Sequence, residues 1–447
     1  MGTYKPSQMA AAINTIGRAV LEEKTISTVT SNGNVIVTPT SGCDGMSKVI
    51  VPVEVSGGGG GGVSKSDVNF YDYDGTVVAA YTAADFANLT EMPANPDRTS
   101  DGLTAQGWNW SLADAKAYVA KYGILEIGQT YKTTDGKTHI HLRLDEQRHN
   151  PRFTFGVDGT ALIEWGDGQT DEVTGTSIAT PQYRVAPYTE GGEYDLAISV
   201  SEGGSIAFPT SVINASGSVS GGINYAYLDD VISVECGETL MTIGGSAFQN
   251  CHALESISIS KGTTSIGNNA FSSCFSLRSI TLPDTVTTLG VNVLGSCSAL
   301  ASVSISNGIT SVGNNMFSAS VLLRTITMPE GVTSIGNDVF NTCNTIKNVI
   351  IPDTVTSIGN SIFANCWMLL SATIPEDVTT INGGMFYRCY DIEYVKFKPT
   401  TPPTVGAATA FTDIPTDCKI LVPTGTLNDY KTAANYPDPT VYTYEEY

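Results

Sequence analysis

The chain is short of charge. Only 15% of its 447 residues are charged, and the balance is one-sided, 23 cations against 44 anions for a net charge of -21. A field of that sign repels polyphosphates and argues against nucleic acid as a partner. No apolar run approaches the roughly 20 residues of a membrane-spanning helix, so membrane insertion is not expected. Histidine numbers four. The G-x-S-x-G, H-E-x-x-H, C-x-x-C and phosphate-loop motifs are missing. Carboxylates are plentiful enough that counting alone does not dispose of a glycosidase pair. The missing chemistry still leaves no catalytic, cofactor-binding or metal residue to assign, and no enzymatic activity is expected. The opening 24 residues lack the long apolar core and small-residue cleavage site of a secretory signal. No wall-sorting tail follows Val441–Tyr447, so export by an encoded signal is not expected.

What is present is Gly, Ser and Thr, which favour turns and strands over long helices, in a chain long enough for several domains. One pattern dominates. Phe248, Phe271, Leu294, Phe317, Phe340, Phe363 and Phe386 recur every 23 residues without an insertion. Three residues after each stand Cys251, Cys274, Cys297, Ser320, Cys343, Cys366 and Cys389. Four residues before stand Gly244, Gly267, Gly290, Gly313, Gly336, Gly359 and finally Asn382. A further apolar series runs Leu254, Leu277, Leu300, Leu323, Ile346, Leu369, Ile392, followed by strand-spaced pairs such as Ile257/Ile259 and Ile326/Met328. A strict period of this length predicts a solenoid of seven turns, each giving one short strand and one tight corner, with the apolar residues stacked in a buried column.

The unit I-G-x-x-x-F-x-x-C-x-x-L-x-x-I-x-I-P resembles the BspA-like leucine-rich repeats over about residues 234–436. The resemblance implies that the tail "ILVPTGTLNDYKTAANY" at 420–436 closes the open end, where a bare strand edge would invite addition. Of the nine cysteines, six share one repeat position. Ser320 replaces one member, which a metal ladder would not tolerate. Strand-spaced neighbours also lie further apart than the roughly 3.8 Å between Cβ atoms that a disulfide needs. Small buried thiols are therefore expected.

The expected class is mostly β and multidomain: small N-terminal α/β modules, a β-sandwich and the solenoid. Residues 1–62 form an attachment module of one helix plus strands, ending in six glycines. On the helix Met9, Ile13, Ile16 and Val20 make a single apolar stripe, for docking or for packing on its own domain. Residues 63–150 form a small α+β module. There Ser111 is the expected N-cap and Gly123 the C-terminal cap of a helix, and Asp74-Gly75 is a hairpin turn. Trp108 and Trp110 could stack on a sugar or anchor this core. These two modules resemble parts of phage and prophage tail-associated proteins. Residues 151–233 resemble a PKD-like sandwich, carried by Trp165-Gly166-Asp167-Gly168 and Gly192-x-Tyr194, with Asp167 a turn residue or a calcium ligand. Residues 234–399 are the repeats and 400–447 the cap. His139 and His141 alternate on one strand face; they are expected to face solvent, or to meet on the axis of an oligomer around a metal.

The position after each cysteine runs His252, Phe275, Ser298, Val321, Asn344, Trp367, Tyr390. A packed position would be held to one size, so this one is expected to face solvent in a ridge along the stack. Phe275, Trp367, Met368, Tyr387 and Tyr390, with Ile350 and Tyr394 on the strand face, are the candidate receptor contacts. The functional expectation is a phage virion protein, tail-associated or otherwise particle-attached. It would hold other virion proteins through its N-terminal modules and present the repeats, as a homo-oligomer, to a host surface glycan or protein. A bacterial cell-surface adhesin and an intracellular scaffold are the alternatives.

Overall fold

The computed structural model describes residues 24–29, 34–39, 49–52, 66–144, 151–210, 213–215, 230–305 and 307–447. The stripe Met9, Ile13, Ile16, Val20 lies outside the described residues. The chain divides into a unit at 1–62 and a larger one at 63–447. In the first, β1 (Lys24–Val29), β2 (Asn34–Pro39) and β3 (Val49–Pro52) form an antiparallel sheet in that order.

The larger unit is mostly β. Its first layer is a four-stranded sheet of β4 (Val68–Tyr71), β5 (Val77–Tyr81), β6 (Leu103–Trp108) and β7 (Leu125–Thr133), in the order β5-β4-β7-β6. Helices α1 (Ala83–Ala87) and α2 (Leu112–Tyr122) pack on it. The caps of α2 are those its sequence predicts. Ser111 Oγ accepts the Asp114 N–H at 3.1 Å, and Gly123 takes the left-handed conformation with its N–H on the Val119 carbonyl. Trp108 and Trp110 are buried with Phe70, Phe86 and Tyr118, which settles their role as core.

A long sheet follows, built on β8 (Thr138–Leu144), β9 (Pro151–Glu164), β10 (Thr170–Val185), β11 (Gly192–Val200), β12 (Ser205–Thr210) and β13 (Ile213–Ala215). In the turn between β9 and β10 the Asp167 carboxylate accepts the Gln169 backbone and side-chain N–H groups, each at 2.9 Å, as an Asp in a glycine turn does. The same sheet runs on into the repeats. β14 (Val231–Glu235) pairs antiparallel with β8, and β15 (Leu240–Gly245) pairs parallel with β12. Both strand columns of the solenoid are thus sealed at their N-terminal end by strands of the preceding segment, so neither starts with an open edge.

Each turn of the solenoid then gives a main strand, such as Ser256–Ser258, Ser279–Thr281 and Ser302–Ser304, and a two-residue strand, such as Ser265–Ile266 and Thr288–Leu289. The phenylalanine column is a stack of rings. Phe317, Phe340, Phe363 and Phe386 follow one another at 5.6–5.8 Å, within 16° of parallel. The cysteine position is fully buried, and its thiols form no disulfide. The Sγ atoms of Cys274, Cys297, Cys343, Cys366 and Cys389 each donate to the carbonyl 26 residues earlier, at 3.0–3.2 Å. Ser320 Oγ makes the same bond to the Leu294 carbonyl at 3.1 Å, which is why serine is tolerated there. Burial pushes the thiols up, Cys297 and Cys343 to about 12, so they stay protonated and unreactive.

The recurring glycine has a steric reason. A Cβ on Gly267 would lie 2.4 Å from the Gly245 nitrogen, and one on Gly359 would lie 2.5 Å from Gly336. The rungs stack too closely there for any side chain. Each corner also holds two residues at positive φ, two before and two after the phenylalanine: Asn269 and Ser273, Asn315 and Ala319, Asp338 and Thr342. Asn or Asp fills many of these positions, the non-glycine residues that best tolerate that region, and Ser most of the others.

The stack extends past the seventh strict repeat. Thr404–Val405 pairs with Thr380–Ile381, and Phe411 stacks on Phe386 at 5.7 Å. Lys419–Val422 and Thr443–Glu446 then add two strands to the main sheet. Helix α3 (Leu427–Thr432) lies between these strands, with Tyr430 buried. The closing segment is thus itself a degenerate continuation of the solenoid.

Candidate functional site

The side chains that alternate outward on the main strands form two columns. One runs Ser256, Ser279, Ser302, Thr325, Asn348, Ser371, Tyr394, and the other Ser258, Thr281, Ser304, Thr327, Ile350, Thr373, Lys396. The first five rungs are not free, because the module at 66–144 lies on them. Ser304 Oγ donates to the Glu126 carbonyl at 2.9 Å and accepts from Asn109 Nδ2 at 2.9 Å. Trp110 Nε1 donates to the Ile305 carbonyl at 3.1 Å, and Tyr118 Oη to the Met328 carbonyl at 2.9 Å. Thr325 Oγ1 donates to Glu126 Oε1 at 2.9 Å, and Lys121 Nζ reaches Glu330 at 2.9 Å and Asp353 at 3.2 Å. Gly128 of β7 sits so close that a Cβ there would lie 2.1 Å from Thr281 Oγ1. Ile350, expected on an open strand face, packs against the module's apolar core instead. The contacts of Trp110 and Tyr118 could not be read from the sequence, and the run of small hydroxyl residues in the outward columns continues past the module at Ser371 and Thr373, so it does not mark where the face is covered.

The ridge at the corner before each strand stays open along most of its length. Phe275 is 45% exposed and Tyr390 is 49% exposed. His252, Ser298, Val321, Trp367 and Met368 are half-buried. The exception is Asn344, which is buried and accepts the Met368 N–H on its carbonyl at 3.2 Å. A small polar side chain that turns inward leaves a gap in the line rather than a bump. The aromatics form two groups. His252 and Phe275 stack at 4.6 Å with their planes 5° apart. Trp367 and Tyr390 lie 6.5 Å apart at 42°, with Met368 beside Trp367. The Trp367 indole N–H is covered without a partner. Tyr387 is half-buried just before this second group, with the Arg388 guanidinium 4.8 Å from its ring. Tyr394 belongs to the strand face beyond the module, paired in register with Ser371 and Lys419, and does not join the ridge.

His139 and His141 do not simply face solvent. Both are half-buried and hold neighbouring strands together through carboxylates. His139 lies 2.9 Å from Asp195 and 3.1 Å from Asp135; His141 lies 3.2 Å from Glu235 and 3.5 Å from Asp195. The bond to Asp195 raises His139 to about 9, against the opposing effect of burial, and the one to Glu235 raises His141. Strand pairing brings these acids in, and one-strand alternation carries no sign of it. Among the described residues, no group of three or more His, Cys, Asp or Glu is arranged to hold a metal ion.

A buried ring stack, close-packed glycines, a strand per turn and a neutral corner ridge define a leucine-rich repeat solenoid. Residues 224–344 and 315–413 match the model of the BspA type leucine rich repeat region, in six copies. That match covers less than half of the chain, and over it the repeat segment is similar to the BspA-type leucine-rich repeats. No curated protein matches. Among solved structures, a leucine-rich repeat protein from Bacteroides ovatus shares 22% identity over 50% of this chain and 64% of its own, with a TM-score of 0.39. A leucine rich cell surface protein from Faecalibacterium prausnitzii shares 21% over 48% and 65%, with a TM-score of 0.34. The leucine-rich repeat protein of T. pallidum shares 28% over 30% and 62%, with a TM-score of 0.27. The chain spans a little under two thirds of the length of each.

Proposed function

We propose that the protein is an adhesin that meets its receptor along the corner ridge of the repeats. The observation that carries this reading is the exposure of Phe275 and Tyr390 on one line, in a molecule whose broad strand face is occupied over its first half by its own module. Exposed aromatics aligned on a rigid scaffold are the usual means of contact with sugars and proteins. The BspA-type region, and the cell-surface description of the Faecalibacterium protein, favour display on a bacterial surface. In the second reading, residues 1–62 attach the protein to other proteins of a phage particle, with Met9, Ile13, Ile16 and Val20 as the contact stripe. Their motif texture favours it, and proteomics of purified virions against a cell-surface fraction separates the two. The ridge itself is tested with a Trp367→Ala, Tyr390→Ala double variant. Cell adhesion should be lost with the melting temperature nearly unchanged. Full adhesion, or a large drop in stability, would reject the ridge as the contact.

A further inference from the structure

We propose that the ridge binds one extended chain of neutral sugars, held at two aromatic pads, and not a compact protein epitope. This rests on the adhesin reading and names its ligand class. The ridge carries almost no charge. The six residues from the phenylalanine position onward, taken over all seven repeats, include a single carboxylate, Asp391, and a single Arg or Lys, Arg388, both in the last repeat. In a chain of net charge -21, that strip is an electrically quiet, amide- and hydroxyl-rich surface. An anionic glycan would meet the repulsive field of the whole molecule, with Arg388, itself 3.6 Å from Asp413, the single Arg or Lys along the strip to offset it.

The layout of the aromatics also favours a linear ligand. Protein interfaces concentrate their anchors at the centre of a patch and surround them with polar groups. Here the order is reversed. The aromatic pairs His252/Phe275 and Trp367/Tyr390 stand at the two ends, and Ser298, Val321 and Asn344 lie between them. Phe275 and Trp367 are four rungs apart in a 23-residue period, which at about 4.8 Å per rung is about 19 Å. A line of that length with a flat ring at each end suits a linear polymer whose apolar sugar faces stack at both pads. Because the pads belong to one rigid stack, the second contact is intramolecular once the first has formed. A chain that spans both should gain on the order of 10²-fold over one that reaches only one pad.

The test applies the full chain to an array of neutral and acidic cell-wall and capsular glycans graded from disaccharide to decasaccharide. Retention is expected on neutral chains, rising steeply once the length spans both pads. Phe275→Ala and Tyr390→Ala should each return long-chain binding to the short-chain level, with melting temperatures within a degree or two of the parent. Binding that ignores length, binding only to acidic chains, or long-chain binding that survives both substitutions together would overturn the proposal. So would a blank array when the same substitutions abolish cell adhesion. In that case the adhesin reading stands and its receptor is a protein. A blank array with adhesion unaffected by the substitutions would remove both.

Discussion

The two halves of the strand face carry different chemistry on the same scaffold. From Ser256 to Thr327 the outward residues are small hydroxyls, and the module at 66–144 rests on them through Asn109, Trp110, Tyr118 and Gly128. Beyond Ile350 the outward residues run on through Ser371 and Thr373 and then become Tyr394, Lys396 and Lys419; the module does not lie on them, Lys419 is exposed and the others are half-buried. Lys396 there lies 3.7 Å from the Tyr447 ring. A repeat that looks uniform inside is thus divided outside, by what it must fit against. The first half is an internal interface and only the second is surface.

The sharpest way to break that comparison is Gly128→Val. With Thr281 Oγ1 only 2.1 Å from the position of the new Cβ, the module must shift, at a cost of about 3 kcal/mol in urea unfolding. Next comes a matched pair. Ser304→Val leaves Asn109 and the Glu126 carbonyl without that partner, for a loss of about 2 kcal/mol. Ser371→Val, one column over and beyond the module, should stay within about 0.5 kcal/mol. Equal effects from the pair would mean the module does not rest on the solenoid. Lys121→Ala removes exposed ion pairs to Glu330 and Asp353 and should cost no more than about 1 kcal/mol, an effect that fades in high salt.

The smallest effect concerns the other junction, where β8 meets β11 and β14. The folded His139 is raised to about 9 from an ordinary 6.5, so its contribution is complete below pH 6.5 and is lost as pH rises toward 9. Burial alone would raise Asp195, but the bond to His139 holds it below its usual 3.8, so that contribution is present above pH 4 and is lost in acid. The difference in melting temperature between the parent and His139→Gln should therefore be largest between about pH 4 and 6.5 and shrink steadily to pH 9. A difference that grows with pH would contradict the pairing.

The sequence period made the seven strict turns, their buried cysteines and the ring column legible, because each depends on one side chain meeting its own copy. It failed where a different partner decides. Two extra residues between Phe386 and Phe411 broke the period, and the eighth member of the column went unrecognised. Asn344 follows the ridge spacing yet is buried, which spacing alone does not reveal. Ile350 was read as exposed because the module that covers it lies over 200 residues earlier in the chain. The ridge was read from its variability beside a position that holds only Cys or Ser; of its residues Phe275 and Tyr390 are exposed, and the other candidate contacts are half-buried.

The corner geometry has a consequence for how such a protein changes length. In each turn the N–H groups two before, at and two after the phenylalanine position point the same way along the stack. Phe340 donates to Ile362, Thr342 to Ala364 and Asn365 to Tyr387, each to the following turn. An extra copy of the 23-residue unit inserted inside the stack would accept three such bonds and donate three, leaving no group unmatched. Removal of everything after residue 399 would be different, since Phe386 and Arg388 would lose their acceptors at Ala410 and Thr412. The spacing between the two aromatic pads is therefore adjustable in whole rungs by duplication or deletion within the array. The two ends, one sealed by β8 and β12 and the other by the irregular last turns, must be kept as they are.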